Sequence, residues 1–248
     1  MRIKNYLLNS LGLLILLAFW SIGVILLSSN IPLAKLFAPM PTFVHLYELV
    51  INNLITDHVL ASLFRVLISL MLALSIGIPI GIILGLSRTV EMMSSGAFQL
   101  LRMISPLSWM PIVVMLFGIG NAPILFLLTF AAIWPIILNT IAGVKNIDKS
   151  WIQLGHSLSA TQFEMLIKII FPAVFRSVLN GLRLSIGVVW IVLVPCEMLG
   201  VNEGLGYFIL DTRDRLAYSE LMAGILLIGI IGWILDASAR ALQSHWAR

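Results

Sequence analysis

Charge and cysteine are both scarce in this 248-residue sequence, and each shortage excludes a class of protein. Only 10% of the residues are charged and 60% are hydrophobic, whereas about a quarter of the residues in a soluble domain carry charge. Together with the mean hydropathy of +1.06, this excludes a soluble domain. The single cysteine, Cys196, excludes an internal disulfide, and its apolar neighbours predict a packed thiol.

Sequence patterns that carry catalysis or ligand binding are also missing. No glycine-rich phosphate loop of the form G-x-x-x-x-G-K-[ST] occurs, and Gly85-Leu-Ser87 continues with Arg88, which excludes a serine nucleophile elbow. The four histidines stand too far apart to indicate a metal site; they are His45, His58, His156 and His245. We therefore expect no enzyme, with no catalytic residue, metal or bound cofactor in this chain, so that another protein supplies the energy for any work.

Six long apolar runs dominate the sequence instead. A helix that crosses about 30 Å of hydrocarbon needs roughly 20 apolar residues, and continuous runs favour helices over the alternating segments of a β-barrel. The runs are Leu11–Leu27, His58–Leu86, Ala97–Gly118, Ala122–Val144, Val178–Leu199 and Leu221–Ala241. The first lacks a small-residue cleavage site, so we interpret it as a retained span. The sequence predicts an all-α polytopic membrane protein with three parts: an N-terminal span and outer loop (1–57), a core of five spans (58–241) and a tail (242–248).

The distribution of lysine and arginine predicts the orientation of the chain. With a cytoplasmic N-terminus, eleven basic residues fall on inner loops and flanks and three on outer segments, a positive-inside bias. The inner set is Arg2, Lys4, Arg88, Arg102, Lys145, Lys149, Lys168, Arg176, Arg183, Arg240 and Arg248; the outer set is Lys35, Arg213 and Arg215. Both chain ends and the loop 145–172 are then cytoplasmic, and the net charge of +4 requires no nucleic-acid partner. Arg65 is predicted to be a structural anchor near the outer end of its span.

The loop 145–172 is a polar, structured interruption between the fourth and fifth spans. Two capping-box spacings predict helix starts within it, one at Ser150 with Gln153 and one at Thr161 with Glu164. The first helix, over about 150–158, places Trp151, Leu154 and Leu158 on one face, and Gly155 and Ser159 keep a neighbouring face low. Such a face could lie on lipid headgroups, but its few cations favour docking into a groove of a partner protein.

This loop resembles the cytoplasmic signature of ABC-importer permeases: Glu-Ala-Ala, three residues, Gly, nine residues, then Ile-x-Leu-Pro. The opening triplet is degraded, and serine replaces the glycine. Because serine adopts a left-handed turn less readily than glycine, the corner at Ser159 and Ala160 is expected to form less easily. The matching positions are Gln153, Leu154 and Gly155 for the triplet, Ser159 for the glycine, and Ile169, Phe171 and Pro172 for the closing segment.

The resemblance covers nearly the whole chain and is strongest to the subfamily that imports nitrate, bicarbonate, taurine and alkanesulfonates. It implies a type I ABC-importer permease fold of six transmembrane helices, with a cytoplasmic coupling helix between helices 4 and 5. The matching segments are Gly77-Ile-Pro-Ile-Gly81 with Gly85, Pro106-Leu-Ser-Trp-Met-Pro111, Phe117-Gly-Ile-Gly120, Pro135 with Asn139, Thr140 and Gly143, Gly181-Leu-Arg-Leu184, Trp190, Glu197 and Gly204-Leu-Gly206.

Partners and a location follow from the same resemblance. It implies a second permease copy (a homodimer), two cytoplasmic ABC ATPases that hold ATP and Mg, and a periplasmic or lipoprotein substrate-binding protein at the bacterial inner membrane. The expected solute is a small anion or organosulfonate, with a pyrimidine vitamin precursor or another small organic solute as the alternative. The residues implied in ATPase coupling are Trp151, Gln153, Leu154, Gly155, Leu158, Ser159, Ala160, Thr161 and Pro172.

Four residues of the spans are candidates for the pathway or its gate: Trp109, Arg183, Trp190 and Glu197. Since a carboxylate repels an anion, Glu197 is expected to hydrogen-bond at a helix end or to gate rather than to bind solute. Arg183 is expected to fix helix ends or to pair with an acid, and the two tryptophans either line the pathway or pack against apolar neighbours.

Two other classes of function are weighed against transport. An intramembrane enzyme needs a catalytic pair within the spans, and the sequence shows none. A membrane scaffold needs no pathway, so it predicts no solute-dependent stimulation of an ATPase. The charged outer loop from Asp211 to Arg215 either meets the binding protein or is merely solvated.

Overall fold

The computed structural model describes the backbone of residues 2–246 and the side chains of residues 11–244. Every regular element in this part of the chain is helical, which confirms the predicted all-α class. Short 3₁₀ helices cover Pro32–Phe37 and Pro106–Trp109, and a π-helical turn, Leu166–Ile170, joins α8 to α9. The α-helices are α1 (Arg2–Ser28), α2 (Pro39–Ile51), α3 (Thr56–Leu86), α4 (Arg88–Met103), α5 (Met110–Phe117), α6 (Asn121–Lys145), α7 (Lys149–Ser157), α8 (Gln162–Met165), α9 (Phe171–Glu197), α10 (Leu205–Asp214) and α11 (Tyr218–Trp246).

Among the described residues, five stretches are long and apolar enough to cross a membrane unbroken, and the third predicted span is a bent pair. The unbroken stretches lie in α1, α3, α6, α8–α9 and α11. The bend of 86° separates α4 from the segment Pro106–Phe117. Ile104 and Ser105 adopt extended backbone there, since a residue before proline is driven out of the α region.

The core forms where α3, α6 and α9 pack side by side. Glycines on α3 allow the close approach, because a Cβ at Gly81 would lie only 2.5 Å from the Thr140 side chain of α6. Gly77 and Gly85 face Ile136 and Val144 in the same way. Because lipid supplies no hydrophobic drive between helices, such small-residue stripes let van der Waals contact hold them together.

The N-terminal helix lies outside this core. The apolar stretch of α1 buries none of its residues, and the Trp20 indole N–H donates to the Phe37 carbonyl at 2.9 Å. The separate unit expected over 1–57 stays a prediction, since Leu49 and Ile55 already belong to the buried core. Of the tail expected over 242–248, α11 extends through Trp246, and residues 247–248 lie outside the described part.

Candidate functional site

The polar loop between α6 and α9 folds into a two-helix elbow made of α7 and α8. Helix α7 begins at Lys149, because the Asp148 side chain accepts the Ser150 N–H at 2.9 Å. The predicted cap at Ser150 is therefore wrong by two residues: Asp148 caps at least as well as serine and stands earlier in the chain. That hydrogen bond lowers the pKa of the Asp148 carboxyl, since it stabilises the charged form. The capping box predicted at Thr161 and Glu164 is confirmed.

The corner between the two helices is built around a left-handed serine. Ser159 has a φ of +54°, and it stands at the position where the permease signature has glycine. The Ala160 N–H donates to the Gly155 carbonyl and the Ser159 N–H to the His156 carbonyl, both at 3.0 Å, which is the Schellman pattern. Serine therefore makes the corner, at the conformational cost that glycine avoids.

The elbow has an inner and an outer face. Gly155 is buried, and a Cβ placed on it would lie 2.6–2.8 Å from Met165 and Ile169, so this glycine lets α7 pack on the chain itself. Large apolar side chains remain exposed on the outside, and we refer to them as the elbow surface: Trp151 (60% exposed), Leu154 (57%), Leu158 (73%) and Phe163 (70%). Phe163 escaped the sequence reasoning, which considered only the first helix. Gln153, Thr161 and Pro172 are exposed and Ala160 is partly buried.

At the outer end of the core, Glu197 joins three helices through buried hydrogen bonds. Its side chain is fully buried, and Arg65 Nη1 of α3 contacts Glu197 Oε1 at 2.5 Å. The Ser62 hydroxyl lies 2.8 Å from both carboxylate oxygens, and the Gly206 N–H of α10 donates to Oε2 at 2.9 Å. Arg65 also donates to Asn121 and to the Glu203 carbonyl. This geometry supports an anchor role for Arg65 and a hydrogen-bonding role for Glu197.

The other pathway candidates lie apart from Glu197. Arg183 is 14 residues earlier on α9, roughly 21 Å along the helix axis, and its Nε lies 3.3 Å from Asp236 Oδ1 of α11. The buried Trp190 donates its indole N–H to the Ile228 carbonyl at 3.2 Å, which supports packing. Trp109 stacks near Phe130, with ring centroids 6.0 Å apart. The structure does not bring the four together.

A cavity of about 480 Å³ separates the bent pair from α6 and α9. Its apolar walls include Pro106, Leu184 and Val188, and Arg102 is its one charged lining residue. Arg102 was expected near the cytoplasmic end of the third span, but it lies beside Trp134, well inside α6. The difference arises because α4 begins at Arg88, nine residues before the predicted start of that span. An arginine within an apolar run was the available sequence signal.

Comparisons with known proteins agree with this architecture. Residues 77–248 match the family described as "Binding-protein-dependent transport system inner membrane component". The taurine transport system permease protein TauC of Escherichia coli is 33% identical, over 75% of this chain and 68% of its own length. The nitrate import permease protein NrtB of Synechocystis is 30% identical, over 95% and 87%. A chain of the inward-facing MetNI methionine ABC transporter superposes with a TM-score of 0.66 at 16% identity, covering 80% of this chain and 98% of that one.

Proposed function

This chain belongs to the family of binding-protein-dependent transport system inner-membrane components, and from that premise we propose how it works as the permease subunit of an ABC importer. The family assigns it a transport role in a membrane, with an ATPase and a substrate-binding protein as partners. The finer proposal has two copies forming the translocation pathway, with both termini and the elbow in the cytoplasm. Two ATPase subunits bind ATP and Mg, and this chain holds no nucleotide. The solute is a small anion or organosulfonate, as the names of TauC and NrtB suggest.

The elbow surface is the single observation that carries the coupling proposal. Four large apolar side chains stand 57–73% exposed on a segment outside the predicted spans, where water rather than lipid would otherwise surround them. A contiguous apolar face of this kind is typical of a protein interface, and an amphipathic helix docks by such anchors. Capping at Asp148 and Thr161 keeps both helices stiff, so a displacement of the ATPase would be passed on to α9.

A charge on the elbow surface tests the docking. We expect Leu158→Glu to abolish co-purification of the ATPase while the permease still inserts and keeps its thermal stability, because Leu158 is 73% exposed. The matched control is Leu216→Glu, since Leu216 is 65% exposed in the outer segment between α10 and α11. Normal ATPase recovery with Leu158→Glu would refute the docking surface.

Gly155 provides a second arm of that experiment. A glutamate there must enter the contact with Met165 and Ile169, so we expect both loss of the ATPase and a lower melting temperature. Leu158→Glu changes only the first of these. If Gly155→Glu kept the wild-type melting temperature and still lost the ATPase, then Gly155 would contact the partner directly.

Uptake by the reconstituted complex tests the solute class. The permease, its ATPase and its binding protein are placed in proteoliposomes and supplied with labelled nitrate, bicarbonate, taurine or butanesulfonate. ATP-dependent accumulation of at least one supports the assignment. Accumulation of none, together with uptake of a pyrimidine vitamin precursor, would favour the alternative solute.

A further inference from the structure

We propose that Arg102 and the indole N–H of Trp134 form a transient oxyanion-binding subsite midway across the permease, for a solute whose oxyanion is attached to a short apolar body. The inference rests on the proposed transport of an anion and adds the residues that would receive it. An organosulfonate has this chemistry, whereas nitrate and bicarbonate lack the apolar body.

The first step is the depth of Arg102. A series of contacts runs antiparallel along α6, which shows that the bent pair follows that helix from its C-terminus towards its N-terminus. The contacts are Glu91 with Lys145, Phe98 with Trp134, Trp109 with Phe130, and Phe117 with Phe126. Trp134 is the fourteenth of the 25 residues of α6, roughly 20 Å from one end and 17 Å from the other. Arg102, which lines cavities with Trp134, therefore lies near the middle of the span.

The second step is the missing counter-charge. Within the described residues, Arg102 makes no hydrogen bond or ion pair, and an arginine at mid-bilayer costs about 2.5–3.5 kcal/mol on insertion scales. A second permease copy would not supply the partner, because it brings the same carboxylates. On the spanning helices, Asp57 and Glu220 lie in first turns. The other three acids are already paired, Glu91 with Lys145, Glu197 with Arg65 and Asp236 with Arg183.

The third step is a second donor without an acceptor. The Trp134 Nε1 atom is buried and has no partner within the described residues, although an indole N–H is a donor only and usually finds an acceptor when buried. Arg102 and Trp134 line the same cavity of about 480 Å³. Two donors and no carboxylate would stabilise an oxyanion by charge-assisted hydrogen bonds.

The fourth step is the rest of that cavity, which selects the body of the solute. Apart from Arg102, Trp134 and Asn139, its lining is apolar and includes Ile104, Leu184 and Val188. The Asn139 amide is already engaged, since it donates to the Pro135 carbonyl and accepts from Asn180. A fully polar ion such as nitrate would leave the apolar wall in contact with water, whereas an alkyl group would cover it.

The test uses two variants in the complete transporter. Arg102→Gln removes an unpaired charge, so the complex should assemble, and Trp134→Phe retains the ring contacts with Phe98 and Phe130. We expect the maximal rate of labelled butanesulfonate uptake in proteoliposomes to fall about tenfold or more with Arg102→Gln, and less with Trp134→Phe. The half-saturating concentration and the basal ATP hydrolysis should not change, because the binding protein and the elbow are untouched. Arg88→Gln at the other end of α4 and Trp233→Phe on an exposed face of α11 should match wild type.

Direct occupancy is measured without the binding protein. Val188 lines the cavity, and we expect maleimide labelling of Val188→Cys in the permease–ATPase complex to be slowed by millimolar butanesulfonate. Nitrate should protect less, and Arg102→Gln should abolish the protection. Unchanged labelling in all cases would refute the subsite.

The outcomes separate three failures. If wild type takes up none of the four anions, the proposed function fails, and the subsite fails with it. If wild type takes up butanesulfonate and both variants match it, only the subsite is wrong. If the loss with Arg102→Gln appears only in vesicles that contain phosphatidylglycerol, and not in purely zwitterionic ones, the donors hold a lipid phosphate and the solute assignment is overturned.

Discussion

Replacing Glu197 by glutamine should destabilise the protein far more than the same change at an equally short but exposed ion pair. Glu197 is 0% exposed and contacts Arg65 at 2.5 Å. Glutamine preserves the shape but leaves the guanidinium in a dry site without its counter-ion. Breaking one partner of a buried pair costs about 3–5 kcal/mol. With a shift of roughly 2–4 °C per kcal/mol for a chain of this size, the melting temperature should fall by about 6–20 °C.

The matched control is Glu91→Gln. Lys145 Nζ lies 2.6 Å from Glu91 Oε1, but the two side chains are 50% and 27% exposed, so the pair should contribute no more than about 1 kcal/mol. Melting of both variants is followed in detergent by the fluorescence of a thiol-reactive dye that reports exposure of Cys196, which is buried in the folded protein. The double variant Arg65→Gln/Glu197→Gln should lose less than the sum of the two single losses. Equal shifts for Glu197→Gln and Glu91→Gln, or strict additivity with Arg65→Gln, would refute the view that burial makes this pair costly to break.

Three further predictions concern local geometry. Ser159→Gly should raise the stability by roughly 0.5–1 kcal/mol, because glycine removes the left-handed penalty and offsets part of it by its own chain entropy; a melting temperature at or below that of wild type would contradict this. Asp148→Ala should lower the melting temperature while Ser150→Ala does not, since the Asp148 side chain caps α7. Its lowered pKa means that the cap is retained above the unfolded pKa and lost as the pH falls through the folded one. Gly181→Val should cost about 1–3 kcal/mol, because a Cβ there lies 3.0 Å from the Pro135 carbonyl oxygen, whereas Gly187→Val on the same helix meets nothing within 4 Å and should melt like wild type.

The helical class, most of the spans and the elbow could be predicted from the chain alone, because each follows from a local pattern. Apolar runs long enough to cross a bilayer become helices whatever surrounds them, and the Thr161–Glu164 box closes within a single turn. The start of α7 was missed by a small margin, since two residues that both cap well stood two positions apart.

Tertiary packing alone decided which polar side chains meet and which do not. Glu197 and Arg65 are 132 positions apart in the chain, and no local pattern relates them. Arg102 was expected near a membrane surface and lies beside Trp134 because α4 continues back to Arg88. The sequence by itself determined that this is a helical membrane protein with a stiff polar elbow, since hydropathy and capping act over a few residues. Only the tertiary structure paired the buried charges and left Arg102 without a counter-ion, because in a low-dielectric interior the distance between side chains, and not their position in the chain, sets the energy.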